Sequence, residues 1–548
     1  MEITRRRTLS FAVVAMSVAL TLTACGAPNR DSDVEGQTDQ AKLARSNTTE
    51  PAKGELDAAT WMISKEPATM DLDADASTSQ TDIILSNVCE RLMILGDDLA
   101  VSPHLATDFE WKSDNELVLN LRDDVTFHDG SPMTPDDVVW SMKRHMAEGA
   151  SEADEFVNVA GVEKTGDNQV TFKMKQADAI FVKALAGDAG VIWNPRAIEK
   201  QGKDFGTPAG SDACSGPFVL DSWTSGTQVV LKKAENYWDA DNAAKTGTLT
   251  IKWGSVDSIV NSLLTGDADG SYLENLASAT RLNEDDSINV VQGEDTRVWS
   301  LMATDRGPLK DARVRQALSL VIDRSGINEA AFSGLGQPWN EPVGSGAWGY
   351  ERGKFETANA ELEFAPVELT DENIEKAKKL VADVGEIGEI IVATDGEPAR
   401  STLAEAVVSA ADSIGLKAKI IRIPAAQYGD YYSDPALRQQ ADLFADDYFV
   451  SKFDPVGFYK NGASTASVQW LLKDPEYDKL VQEARAATDD AQRAEIAIKL
   501  MKGWDEAMPW ISTTASPNTV AFSKDVTGIP AAGNFRYAPW AAGLGSAE

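Results

Sequence analysis

Residues 121–141 read LRDDVTFHDGSPMTPDDVVWS, and their local signals are a strand end, a turn and a helix start. Asp129-Gly130 supplies the turn, because aspartate bonds nearby backbone and glycine accepts positive φ without cost. Thr134-Pro135-Asp136-Asp137 then opens a helix, with Thr134 as N-cap, Pro135 at the first helical position and an acid at the third. Val139, Met142 and Met146 fall on one face of that helix, and Gly149 is a natural stop. Upstream, residues 116–122 (ELVLNLR) place Leu117, Leu119 and Leu121 at period two, the pattern of a half-buried strand. Downstream, Val170, Phe172 and Met174 alternate with Thr171, Lys173 and Lys175 in the same way.

Farther out the style changes. Residues 216–220 and 228–232 read as paired strands around a Ser225-Gly226 turn. Residues 311–323 are helical, with Val314, Ala317, Leu318 and Val321 on one face. Thr370 caps a helix carrying Ile374, Ala377, Val381 and Val384, which Gly385 ends. A strand at 390–394, a helix through Leu403, Val407, Ala410 and Ile414, and a strand at 418–423 form a βαβ unit, which implies a parallel sheet. Residues 470–502 are mostly helical, and no repeat of fixed period is present. The Gly/Pro-rich loop 340–350 (NEPVGSGAWGY) reads as lying outside the core. Separate α/β units suggest lobes around a cleft, with ligand beyond the carboxyl ends of the strands.

The chain has 548 residues, enough for roughly three to four domain-sized units at about 150 residues each. Its 51 basic and 86 acidic side chains give a net charge of −35, which argues against nucleic acid and anionic lipid surfaces as general partners. Three histidines and three cysteines make a Cys/His zinc cluster a poor expectation, and neither a metal nor a cofactor is implied.

Arg5, Arg6 and Arg7 followed by an apolar run over residues 9–22 have the n-region and h-region of an export signal. Leu22-Thr23-Ala24-Cys25-Gly26 resembles the lipobox of bacterial lipoproteins, which implies cleavage after residue 24 and lipidation of Cys25. The alternative is an ordinary signal peptide with an incidental cysteine. TRRRTL at 4–9 also partly resembles a twin-arginine signal, so the export route stays open. Cleavage removes three arginines and one glutamate, leaving 48 basic and 85 acidic residues and a net charge of −37. Residues 25–55 carry little apolar content and read as a flexible tether. The expected protein is soluble and lipid-tethered at the outer face of the cytoplasmic membrane. Cys89 and Cys214 then remain as an even set in an oxidising space, for which a disulfide is expected over two buried thiols.

Several segments together resemble one family, the extracytoplasmic solute-binding proteins of ABC importers that bind oligopeptides, dipeptides or nickel (family 5). NVCERL at 87–92 resembles its NVYEGL-like segment, and PHLA at 103–106 with Trp111 resembles P-x-LA-x-x-W. The opening stretch at 121–141 follows LR-x-x-V-x-FHDG-x-x-x-T-x-x-DV-x-x-S almost position by position. CSGPF at 214–218 resembles GTGPY, NYW at 236–238 resembles N-x-YW, and LKDARVRQALSLVIDR at 309–324 resembles the family's D-x-RVRQAL-x-x-x-IDR helix. The resemblance covers about residues 55 to 545. It implies an α/β, bilobed periplasmic-binding-protein-like fold (type II, cluster C) with an extra inserted domain and a hinge between lobes. On this reading residues 1–24 are the signal and 25–55 the tether. Lobe I takes 56–95, 205–295 and 515–548, the inserted domain takes 96–204, and lobe II takes 296–514. The resemblance further implies binding without catalysis, a monomer, and docking of the loaded protein on an ABC permease with its ATPase subunits.

Candidate ligand-binding residues follow from the same resemblance. FADDY at 444–448 resembles the stretch in which an aspartate pairs with a peptide's α-amine, which points to Asp446 or Asp447. Adjacent carboxylates on a strand face opposite ways, so the two make a poor glycosidase pair. Six residues separate Asp447 from Asp454, which blurs which aspartate is the equivalent. Trp299, Trp339 and Trp348 lie in segments that face the cleft in this family, and core packing is the alternative for each. Cys214, Ser215 and Gly216 are expected to present backbone groups near an extended ligand. Arg297 and Arg306 are candidates for a carboxylate, with surface placement as the alternative. His128 reads as scaffold, and His104 and His145 as isolated packing or solvent contacts. A peptide is the leading ligand, with a nickel complex, opine, oligosaccharide or haem as alternatives. A secreted hydrolase is the competing class, but the chain has neither G-x-S-x-G nor HExxH.

Overall fold

The structure is a computed structural model that describes residues 43–74, 79–466 and 468–548. The expected signal peptide, Cys25 and the first part of the expected tether lie outside the described residues.

The opening stretch folds as read. Thr134 accepts from the Asp137 N–H while the Asp137 side chain accepts from the Thr134 N–H, a reciprocal capping box for helix Pro135–His145. Gly130 turns at φ 80°. Strand Glu116–Leu121 lies in a four-stranded antiparallel sheet between Ala106–Ser113 and Gln169–Met174, with Val159–Gly166 at the far edge. Leu117, Leu119 and Leu121 pack with Val138 and Met142 of the helix. The buried face is thus turned from the expected one: Val138, Ser141, Met142 and His145 are inside, while Val139 and Met146 are only partly buried. Polar residues can occupy that face because each has a partner. Ser141 bonds the Trp193 backbone, and His145 lies between Asp73 and the Val191 carbonyl.

Two larger mixed sheets carry the rest. The eight-stranded one runs in the order Ala44–Arg45, Ile288–Gly293, Asn518–Ser523, Gly270–Tyr272, Leu56–Ile63, Thr246–Trp253, Gln228–Lys233, Phe218–Thr224. At its centre the Trp61 indole lies against Trp540 with the rings tilted by 42°, and Gly270 passes directly beneath it, where any Cβ would overlap the ring. The six-stranded sheet runs Gln337–Pro338, Trp510–Ala515, Val298–Ala303, Leu443–Tyr448, Ile390–Thr394, Ala418–Arg422. Its last two strands are parallel and joined through helix Pro398–Ser413, the expected βαβ unit. The chain passes between these sheets through two short links. Residues 294–297 connect Ile288–Gly293 to Val298–Ala303, and residues 516–517 connect Trp510–Ala515 to Asn518–Ser523.

Two expectations need correction. The segment 43–55 is built into the fold rather than loose. Ala44–Arg45 adds a parallel edge strand to Ile288–Gly293, and the Asn47 carbonyl accepts from the Ala531 and Ala532 N–H groups. Asn47 also accepts from the Glu294 N–H through its side chain. Main-chain hydrogen bonds hold this segment, so its low apolar content did not reveal it. The loop 340–350 is mostly buried, and its glycines serve close packing. A Cβ on Gly344 would press on the Asp295 and Thr296 backbone, and one on Gly346 on the Asp295 backbone and Leu99.

A disulfide joins Cys89 to Cys214, with Cα atoms 4.7 Å apart. It ties the segment after helix Ser79–Leu85 to the loop before strand Phe218–Thr224.

Candidate functional site

A cavity of about 300 Å³ opens where the two short links lie, with walls from both large sheets. Ser64, Gln80 and Glu274 come from the side of the eight-stranded sheet, and Trp299, Phe332 and Glu397 from that of the six-stranded sheet. Asp295 and Arg297 on one link and Ser516 on the other complete the floor, with Arg536 from the C-terminal segment beside them. The Ser516 N–H donates to the Arg297 carbonyl at 3.0 Å, so the two links hold each other in place.

The cavity is strongly charged and internally compensated. Arg297 ion-pairs with Asp447 at 3.3 Å, and Arg536 with Asp295 at 3.1 Å. Burial works against the Arg297 charge, but Asp447, Asp295, Glu274 and Asp446 more than offset it and hold the guanidinium above its ordinary value. Strand pairing explains the Asp447 placement. It lies opposite Trp299 across the antiparallel ladder, on the face toward Arg297. Asp446, one residue earlier, points away, as strand geometry requires. It bonds Arg400 at 2.7 Å and the Tyr431 hydroxyl at 3.1 Å, and it is buried. Desolvation raises its carboxyl above the usual range despite Arg400.

The other expected site residues lie elsewhere. Trp299 lines the cavity and packs against Phe332. Trp339 and Trp348 are 6% and 3% exposed and sit in the hydrophobic core with rings 5.4 Å apart. The Trp339 indole N–H donates to the Val343 carbonyl, so its polar handle is satisfied inside the core. Cys214 is in the disulfide, and Ser215 Oγ donates to Glu90 at 2.7 Å. The Gly216 N–H donates to the Val88 carbonyl at 2.8 Å. None of these three lines the cavity, because their polar groups close the seam around the disulfide instead. Arg306 pairs with Asp442 away from the cavity. Asp454 is buried on Arg493 and caps helix Pro455–Tyr459, a structural role that removes it as a ligand candidate. The histidines expected to be isolated are paired: His104 with Glu90 and His145 with Asp73.

Sequence reasoning missed Glu274, Asp295, Glu397 and Arg536. They are scattered over four segments that only the fold brings together, and no spacing marks them.

Residues 100–470 match the family described as bacterial extracellular solute-binding proteins, family 5 Middle. The probable D,D-dipeptide-binding periplasmic protein DdpA of Escherichia coli (strain K12) is 26% identical over 432 residues, 76% of this chain and 80% of that protein. Heme-binding protein A of Haemophilus influenzae is 24% identical over 465 residues, covering 78% of this chain and 81% of its own. The oligopeptide-binding protein AppA from Bacillus subtilis, solved in complex with a nonapeptide, shares the fold. Its TM-score is 0.71 at 19% identity, over 91% of this chain and 100% of that one. The α/β, two-lobed periplasmic-binding-protein-like fold expected from the sequence is therefore the fold of this protein. With more than half its length matched by one family profile, the chain belongs to the bacterial extracellular solute-binding proteins of family 5.

Proposed function

We propose that this chain is the ligand-capturing component of an ABC importer for peptides, a monomer without catalytic activity that delivers its ligand to a membrane permease. The observation that carries this reading is the charge pattern of the cavity, which presents Arg297 and Arg536 together with Glu274, Asp295 and Glu397. A peptide with free ends brings one charge of each sign to such a space, and charge-assisted hydrogen bonds hold both ends. Trp299 is a wall of the site, and Asp447 tunes Arg297. Lobe I takes 56–95, 205–295 and 515–548, joined by the docked segment 43–55. The inserted domain takes 96–204 and lobe II takes 296–514. The links at 294–297 and 516–517 are the hinge, and ligand bound to both walls favours the closed state. Lipid on Cys25 holds the protein at the outer face of the cytoplasmic membrane. No described helix is long and apolar enough to cross a membrane.

The test is mass spectrometry of the natively purified protein, denatured to release its contents, followed by calorimetry with the peptides found. Release of intact short peptides is the expected result. Release of a sugar, a metal complex or a porphyrin would keep the import role and overturn the peptide, and cleavage of added peptide would overturn the non-catalytic reading.

A further inference from the structure

The carboxylates around the cavity are not equivalent. Asp295 is held by Arg536 and by the Thr296 N–H. Asp447 is paired with Arg297. Glu397 caps helix Pro398–Ser413, with one oxygen accepting from the Arg400 N–H at 2.8 Å. Asp446, which the family-like FADDY stretch offers as an amine acceptor, is spent on Arg400 and Tyr431.

Glu274, like Glu397, has no ion pair among the described residues, but it alone of these carboxylates also borders the small pocket of Val256, Ile259 and Val260. Its Oε1 accepts from the Ser64 hydroxyl at 3.0 Å and from the Gln80 amide at 2.9 Å. Both donors are neutral, and among the described residues no lysine or arginine forms an ion pair with Glu274 and no group bonds its Oε2. One oxygen is therefore fixed in place at the cavity wall, where Glu274 feels the Arg297 charge only at longer range, without an ion pair. Beside it opens a second, smaller pocket of about 30 Å³, lined by Val256, Ile259, Val260 and Leu273. This pocket shares Ser64, Tyr272, Leu273, Glu274 and Asn275 with the main cavity, so Glu274 borders both spaces. Its volume suits a methyl-sized group rather than a ring.

We propose that Glu274 receives the ligand's ammonium and that the adjoining apolar pocket takes a small aliphatic side chain on the same carbon, so that the preferred ligand is a free-amine peptide beginning with a residue such as alanine. This rests on the peptide-import reading. An ammonium leaving water needs an ionised acceptor, and a carboxylate already oriented by two neutral donors supplies one with little reordering. A large first side chain overfills the space between Val256, Ile259 and Val260 and so binds more weakly.

The test is calorimetry on wild-type protein and Glu274→Gln, stripped of ligand, against trialanine, N-acetyl-trialanine, Trp-Ala-Ala and a mixed tripeptide pool. Glu274 is exposed, so the variant should keep its thermal midpoint. Expected results are tight binding of trialanine, about thirtyfold or greater weakening by N-acetylation or by Glu274→Gln, and no further N-acetyl penalty in the variant. Trp-Ala-Ala should bind more weakly than trialanine to the wild type. Equal affinity in Glu274→Gln, or an N-acetyl penalty that persists there, overturns the Glu274 assignment and leaves the peptide reading standing. A wild type that binds pool peptides but not trialanine, or binds Trp-Ala-Ala as well, overturns the small-side-chain assignment. A wild type that binds nothing in the pool overturns the peptide reading and this inference with it.

Discussion

At the scale of single residues, His128 shows how a scaffold histidine works. Its Nδ1 lies 2.6 Å from Asp212 and its Nε2 lies 2.8 Å from the Gly216 carbonyl. Both partners offer oxygen acceptors, an arrangement that favours the doubly protonated ring. Burial opposes that charge, but Asp212 and the Gly216 carbonyl outweigh it and raise the His128 pKa above its ordinary value. A raised folded-state pKa contributes stability that is fully present below the unfolded value, about 6.5, and is lost as pH rises through the folded one. His128→Gln is therefore expected to cost about 1.5–3 kcal/mol at pH 6 and progressively less in alkaline buffer. Denaturant titration of both proteins across pH 5.5–9 checks this, and a gap that grows with pH would rule it out. The FHDG motif pointed to structure rather than catalysis, but its partner Asp212 lies 84 residues away and was not legible in the sequence.

At the scale of elements, the short turn Ala153–Phe156 is fastened to the region around helix Pro455–Tyr459 by charge. Glu155, 1% exposed, accepts from Lys452 at 2.8 Å and from Lys460 at 2.9 Å. Burial alone would push its carboxyl up, but the two ammonium groups bring it down to about 2. A depressed folded-state pKa gives stability that is present above the unfolded value of about 4.5 and lost as pH falls toward 2. Glu155→Gln leaves Lys452 and Lys460 only their longer contacts to Glu152 and Asp154, each at 3.9 Å, so a loss of about 3 kcal/mol at pH 7 is expected. The loss should shrink by pH 3, as urea unfolding at the two pH values would show. Local sequence signals served well at this scale wherever one element carried its own information. The Thr134 capping box, the Gly130 turn and the 390–422 βαβ unit were all legible. The buried face of helix Pro135–His145 was not, because partners on other segments decide which polar residues can go inside.

At the scale of the whole molecule, the Cys89–Cys214 disulfide closes a loop of 125 residues. In the chain-entropy account, removing it costs about 4–5 kcal/mol. The double substitution Cys89→Ser, Cys214→Ser is expected to lower the urea midpoint by a corresponding amount. It should leave ligand affinity nearly unchanged, because neither cysteine lines the cavity. Calorimetry beside the unfolding curve separates the two effects. The α/β class, the family and the alternation of strand and helix were legible along the chain, because capping, periodicity and turn chemistry act over a few neighbouring residues. It also supplied Trp299 and Arg297, which border the cavity. Folding alone puts Trp339 and Trp348 in the core, joins the segment 43–55 to the sheet, and brings Glu274, Asp295, Glu397 and Arg536 into one space. The difference is one of range. A cavity is made by side chains far apart in the chain, and whether each charge there is compensated depends on neighbours that only folding brings near.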